Sequence, residues 1–80
     1  FRFELIVNGQ TVFARYWRDG DKVTIPYVEA PPALRGTGAA ADLMEGIATM
    51  ARREGFKIVP QCSYAAGWMQ RHKEYNDILA

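Results

Sequence analysis

The sequence holds a single cysteine, Cys62, and a single histidine, His72. One thiol excludes an internal disulfide and a multi-cysteine zinc centre, so no metal site is expected. No apolar run approaches the roughly 18 residues of a membrane span. The start lacks the basic-then-apolar order of a secretory signal, so a reducing, cytoplasmic setting is the default expectation. Neither sign of charge dominates: ten Lys and Arg against nine Asp and Glu leave a net charge of +1. That balance gives no field for duplex nucleic acid or an anionic membrane, and neither is expected as a partner. Repeats, linkers and low-complexity stretches are absent. The chain opens on Phe1 rather than methionine, so a short segment is expected to precede it.

What is present is enough for one small domain over residues 1–80, with apolar residues at 49% and charged residues at 24%. That apolar share can supply one core, and that charge is too low for a disordered chain. Phe1–Val7 begins by alternating apolar and polar side chains, and Asn8-Gly9 is a strong hairpin signal. A second strand is predicted over Thr11–Trp17, a turn at Asp19-Gly20-Asp21, and a third strand over Lys22–Val28. Proline cannot donate to a strand ladder, so Pro26 marks an edge or a bulge, and a bulge there would open a slot beside the strand.

Two prolines, Pro31 and Pro32, end that run, and Arg35-Gly36-Thr37-Gly38-Ala39-Ala40 leads into a helix over about Ala41–Glu54. The first backbone N–H groups of a helix have no partner inside it, and the dipole is positive at that end. Glycines there leave the donors uncovered, which suits phosphate; a Gly-x-Gly before a helix is also an ordinary tight turn. Leu43, Ile47, Met50 and Ala51 share one helix face, with Asp42, Glu45, Thr49, Arg52 and Arg53 largely opposite. Gly55 reads as the C-terminal cap. A fourth strand, Phe56–Pro60, is expected parallel to the third, and Ser63 is the expected cap of a short helix over Tyr64–Arg71. The tail Glu74–Leu79 should pack on the sheet or a partner.

Arg35-Gly36-Thr37-Gly38-Ala39-Ala40 resembles the Arg/Gln-x-x-Gly-x-Gly/Ala acyl-CoA signature of the GNAT acetyltransferases, with Arg35, Gly38 and Ala40 on its fixed positions. Phe3-Glu4-Leu5, Asn8-Gly9, Glu29 to Gly36, Pro60 to Tyr64 and Arg71 to Tyr75 extend the likeness to the small single-domain members of that superfamily. The resemblance implies an α/β (α+β) minimal GNAT fold: a mixed, mostly antiparallel four-stranded sheet, one long helix on one face and a short C-terminal helix. It implies acetyl-CoA or coenzyme A as ligand and an amine as acceptor without defining which: a protein lysine, a polyamine or a small metabolite, with an open cleft suiting a protruding lysine best. Relatives often carry a His-Thr-Glu type sequence where this chain has Tyr27-Val28-Glu29, so any role of that histidine is absent here while the glutamate is kept.

On that resemblance the backbone from Arg35 through Gly36, Thr37, Gly38 and Ala39 to Ala40 would hold the pyrophosphate, with Leu34 beside it. The pantetheine arm would lie along Tyr27-Val28-Glu29, reaching toward Cys62. Cys62 is either an acyl-accepting nucleophile, favoured by the helix N-terminus near Ser63, or a small packed hydrophobe. Glu29 is the candidate general base, and Tyr64 a candidate acid for the leaving thiolate or a packing ring. His72 either contacts the cofactor, acts as a proton carrier or sits on the surface after the last helix. The expected function is acetyl transfer to an amine; the alternative is an acyl-CoA-binding or sensing module with little catalysis. A third possibility uses the open sheet edge to form a homodimer or dock a partner.

Overall fold

The computed structural model describes Phe1–Ala80 throughout. Strands β1 (Arg2–Val7), β2 (Gln10–Asp19), β3 (Lys22–Glu29) and β4 (Lys57–Pro60) form one sheet in the order β1-β2-β3-β4. The first three pair antiparallel, and β3 pairs parallel with β4. Asn8 and Gly9 both take positive φ, 51° and 75°, as the two-residue turn between β1 and β2 demands. The expected α/β architecture is therefore the one observed.

Helix α1 (Ala39–Glu54) starts two residues before the expected Ala41, because Ala39 and Ala40 are strong helix formers once Gly38 has ended the loop. Its buried stripe is wider than predicted: Ala39, Met44 and Ala48 join Leu43, Ile47 and Ala51, while Met50 is half-buried. Past the end of α1, Gly55 adopts φ 83°, and the Gly55 and Phe56 N–H groups both donate to Ala51 O. That closure holds Phe56 against the helix end, which is why β4 begins at Lys57 rather than at Phe56. Helix α2 (Ser63–Arg71) is flanked by Cys62, not Ser63, as its N-terminal cap residue, and no side chain caps it.

Val12, Ala14, Val23, Ile25 and Ile58 point from one sheet face into a single core shared with α1 and α2. Both helices pack on that face, and α1 also touches the C-terminal 3-10 segment Lys73–Ile78. Leu79 adds a parallel bridge to Ile58, so the tail lies on the sheet as expected. No helix is long and apolar enough to cross a membrane.

Arg52 ties the tail to α1. Its guanidinium donates to both Asp77 carboxylate oxygens, at 2.9 and 2.6 Å, and to Glu74 O at 2.7 Å. The Arg52 hydrogen bond holds the Asp77 carboxyl below its usual range. A group whose pKa falls on folding stabilises the fold above its unfolded pKa and loses that effect as pH falls through the folded value. The Tm advantage of the wild type over Asp77→Asn should thus be present at neutral pH and vanish in acid. An equal Tm difference across that titration would show that the pair does not contribute through charge.

Candidate functional site

The site is built where β3 and β4 part. Between the pairs Arg15–Tyr27 and Trp17–Thr24, β2 advances two residues and β3 three, so an extra residue lies on β3 at Ile25-Pro26. The bulge expected at Pro26 is present. Pairing with β4 ends at Ile25–Pro60, and the N–H groups of Gln61 and Cys62 both donate to Ile25 O, at 3.1 and 3.0 Å. From Pro26 to Glu29 the side of β3 that faced β4 has no strand beside it.

The loop after β3 closes the other wall. Pro32–Leu34 makes one 3-10 turn, and Gly36 and Gly38 follow at φ 78° and 87°, a left-handed conformation that a side chain would strain. Arg35 N and Thr37 N are taken by Pro32 O and Leu34 O, and Ala39 N points to Thr37 Oγ1. The N–H groups of Gly36, Gly38, Ala40 and Ala41 have no acceptor in the protein. A Cβ built on Gly36 or Gly38 would meet no protein atom within 4 Å, so the space beside both is open.

Between these walls lies a cleft of about 520 Å³, lined by Tyr27, Val28, Glu29, Ala30, Leu34, Arg35, Gly36, Gly38, Ala39, Ala40 and Tyr64. Most residues expected at the site from the sequence are thereby brought together. Three are not on its lining. Thr37 is exposed, and its hydroxyl donates to Leu34 O at 2.6 Å and so braces the loop. Cys62 is half-buried against the core, and its carbonyl starts α2 by accepting from Ala66 N at 2.9 Å. His72 caps the opposite end of α2, stacked on Trp68 at 4.1 Å with Nδ1 2.9 Å from Trp68 O.

The polar groups of the cleft are held in place. Arg35 Nε donates to Ala30 O at 3.2 Å, tying the loop to the end of β3. The Tyr27 hydroxyl donates to Glu29 Oε1. That bond holds the Tyr27 proton, and the phenol stays above its usual range although the guanidiniums of Arg15 and Arg35 pull the other way. Burial raises the Tyr64 phenol, with Arg71 opposing and Asp42 adding to the shift. The arrangement presents fixed N–H donors at the positive end of a helix, an unpaired strand edge, a carboxylate and a protonated phenol.

Two residues near the site were not singled out from the sequence. Ala30 lines the cleft, and a lone alanine carries no sequence signal of it. Arg15 faces Tyr27 across β2 and β3, and the two-residue turn between these strands would have placed it there had the bulge been counted.

A splayed parallel strand pair beside a glycine loop and a helix N-terminus is the plan of an α/β acetyltransferase-like fold. The family model described as GCN5-related N-acetyl-transferase matches residues 2–78, and the chain belongs to that family. No individual curated protein matches it. Acyl transfer is the general chemistry of the family.

Proposed function

We propose that this chain binds acetyl-CoA in the cleft and transfers the acetyl group to an amine. The observation that carries the proposal is that the N–H groups of Gly36, Gly38, Ala40 and Ala41 have no partner in the protein, while Gly36, Gly38 and Ala40 line the cleft beside the free edge of β3. Those donors fit a pyrophosphate, and the helix dipole adds to them. Arg35 brings two further guanidinium nitrogens to the same loop, its Nε being already engaged. Tyr27-Val28-Glu29 offers the strand edge for an extended amide-bearing arm.

Bound acetyl-CoA supplies an activated thioester carbonyl. Glu29 takes the proton that the attacking nitrogen loses, and Tyr64 gives a proton to the departing sulfur. Cys62 lies just past β4 and off the cleft lining, which supports a packing role over that of an acyl carrier. The acceptor amine enters from the uncovered sheet face, an opening that admits a protruding side chain such as a protein lysine. The alternative of a binding module without catalysis makes the same demand on the loop and none on Glu29.

The test is thermal denaturation with and without coenzyme A, joined to intact mass spectrometry after incubation with acetyl-CoA. Coenzyme A should raise Tm in the wild type. Gly38→Val adds a branched side chain at φ 87° and fills the space beside the donors, so its coenzyme A affinity should drop by about tenfold or more. A cysteine adduct lost in Cys62→Ala would instead make Cys62 an acyl carrier. No shift in Tm in the wild type would end the coenzyme A proposal.

A further inference from the structure

We infer that the acceptor is an amine carried beside a carboxylate, and that Arg15 on β2 anchors that carboxylate while Glu29 serves the nitrogen. The inference rests on the proposed acetyl transfer and names its substrate class.

The route of entry follows from the packing. Val12, Ala14, Val23, Ile25 and Ile58 fill the inner sheet face under α1 and α2, so on that side only the cleft proposed for the cofactor leads to Glu29. The outer face is open, and Arg15, Tyr27 and Glu29 stand exposed on it. With the cofactor in the cleft, this open face is the side left to an acceptor.

The charges on that face are uneven. Arg2 is paired with Glu4 at 3.2 Å and covers the Phe13 ring at 3.8 Å. Arg35 is tied to Ala30 O on the loop side. Arg15 enters none of the ion pairs of the protein. Its guanidinium lies 5.8 Å from the Phe13 ring centroid, and its charge reaches the Tyr27 hydroxyl. Arg15 pairs with Tyr27 and Phe13 pairs with Glu29, so Arg15 and Glu29 are diagonal neighbours. Such neighbours sit roughly 7–8 Å apart at Cα, within reach of two long side chains. An amine near Glu29 and a carboxylate near Arg15 then belong to one small molecule or to adjacent side chains. A guanidinium recognises a carboxylate through two parallel N–H donors, which fixes orientation as well as charge. The same arginines repel a polyamine.

In the transfer the nitrogen–carbon bond forms as the carbon–sulfur bond breaks. Glu29 takes one proton from nitrogen and Tyr64 delivers one to sulfur, so the products are the N-acetylated acid and a free thiol. The shared chemistry has two sources, a free amino acid or an acidic segment of a protein, and the experiment separates them.

Release of free thiol from acetyl-CoA is followed with matched acceptors: an amino acid and its amide, a lysine peptide flanked by glutamates and one flanked by glycines, and spermidine. The acid member of at least one pair should show a KM lower by about tenfold, the size of one charge-assisted contact. The pair that shows the difference identifies the source. Arg15→Gln should remove the difference by raising KM for the acid, and Arg15→Lys should restore part of it. As a readout without turnover, NMR titration of the coenzyme A-bound protein should show the N-acetylated acid binding more tightly than its amide, and Arg15→Gln should abolish that margin. Equal KM values within every pair, a preference that survives Arg15→Gln, or spermidine as the best acceptor overturns the inference. So does the absence of transfer to any acid-bearing amine while coenzyme A still raises Tm. If coenzyme A does not raise Tm, the acetyl-transfer proposal itself fails, and this one falls with it.

Discussion

Trp68→Ala should be the most destabilising single substitution in the chain, lowering the unfolding free energy by about 3–5 kcal/mol. The indole is 2% exposed and is the largest of the fully buried side chains. It stacks on His72 at 4.1 Å and meets Tyr75 at 5.5 Å, so one ring joins α2, its C-terminal cap and the tail. Small domains have a total stability of only about 5–15 kcal/mol, so this loss would leave much of the population unfolded at moderate temperature. Trp17 is the control. It is 48% exposed on the outer sheet face, and Trp17→Ala should cost no more than about 1 kcal/mol. Urea denaturation followed by circular dichroism measures both, independently of the loss of a fluorophore. Comparable losses for the two variants would mean that the core is not organised around α2.

The local rules that place strands and turns act over a few residues, and there the sequence was sufficient. Asn8-Gly9 made the hairpin, Gly55 ended α1, and Pro26 fell at the bulge that opens the slot. The loop signature brought Arg35, Gly36, Gly38, Ala39 and Ala40 to one cleft with Tyr27, Val28 and Glu29. What escaped depends on where a side chain turns after the backbone is placed. Thr37 has the backbone position of a ligand-facing residue, but its hydroxyl is used within the loop. Cys62 follows β4 as foreseen, yet the bonds of Gln61 and Cys62 to Ile25 O draw the chain inward and leave the thiol off the cleft lining. His72 is carried to the far end of α2 and spends its ring on Trp68. Phe56 read as a strand residue because aromatic residues favour strands, whereas burial against the end of α1 decides its conformation. Arg15 became visible only through the register, because a one-residue bulge on β3 changes which side chains face each other.

Under the acetyl-transfer proposal, Glu29→Gln and Tyr64→Phe should divide the proton traffic between them. Glutamine keeps the shape of Glu29 and an oxygen for the Tyr27 hydroxyl, so the cleft and coenzyme A binding should persist while the base is lost. Removal of a positioned base costs roughly 10²–10⁴ in rate, and the effect should fall on kcat rather than on the affinity for coenzyme A. Tyr64→Phe keeps the ring in its half-buried place and removes only the acidic proton. Burial raises the Tyr64 phenol above its usual range, so the acid form is held through the neutral range and is lost only in strong alkali. The wild-type rate should therefore decline on the alkaline side only above the ordinary phenol value of about 10. Tyr64→Phe should be slower throughout and lack that decline, provided the acceptor amine is unprotonated over the range compared. The N-terminal α-amine of a peptide whose acidic side chain supplies the carboxylate, with an ammonium pKa of about 8, meets that condition and is largely unprotonated before the phenol begins to titrate. A full rate in Glu29→Gln would remove the carboxylate from the chemistry and leave it as the partner of Tyr27. An alkaline decline that survives in Tyr64→Phe would assign the proton on sulfur to another donor, with solvent at the open mouth of the cleft as the nearest source.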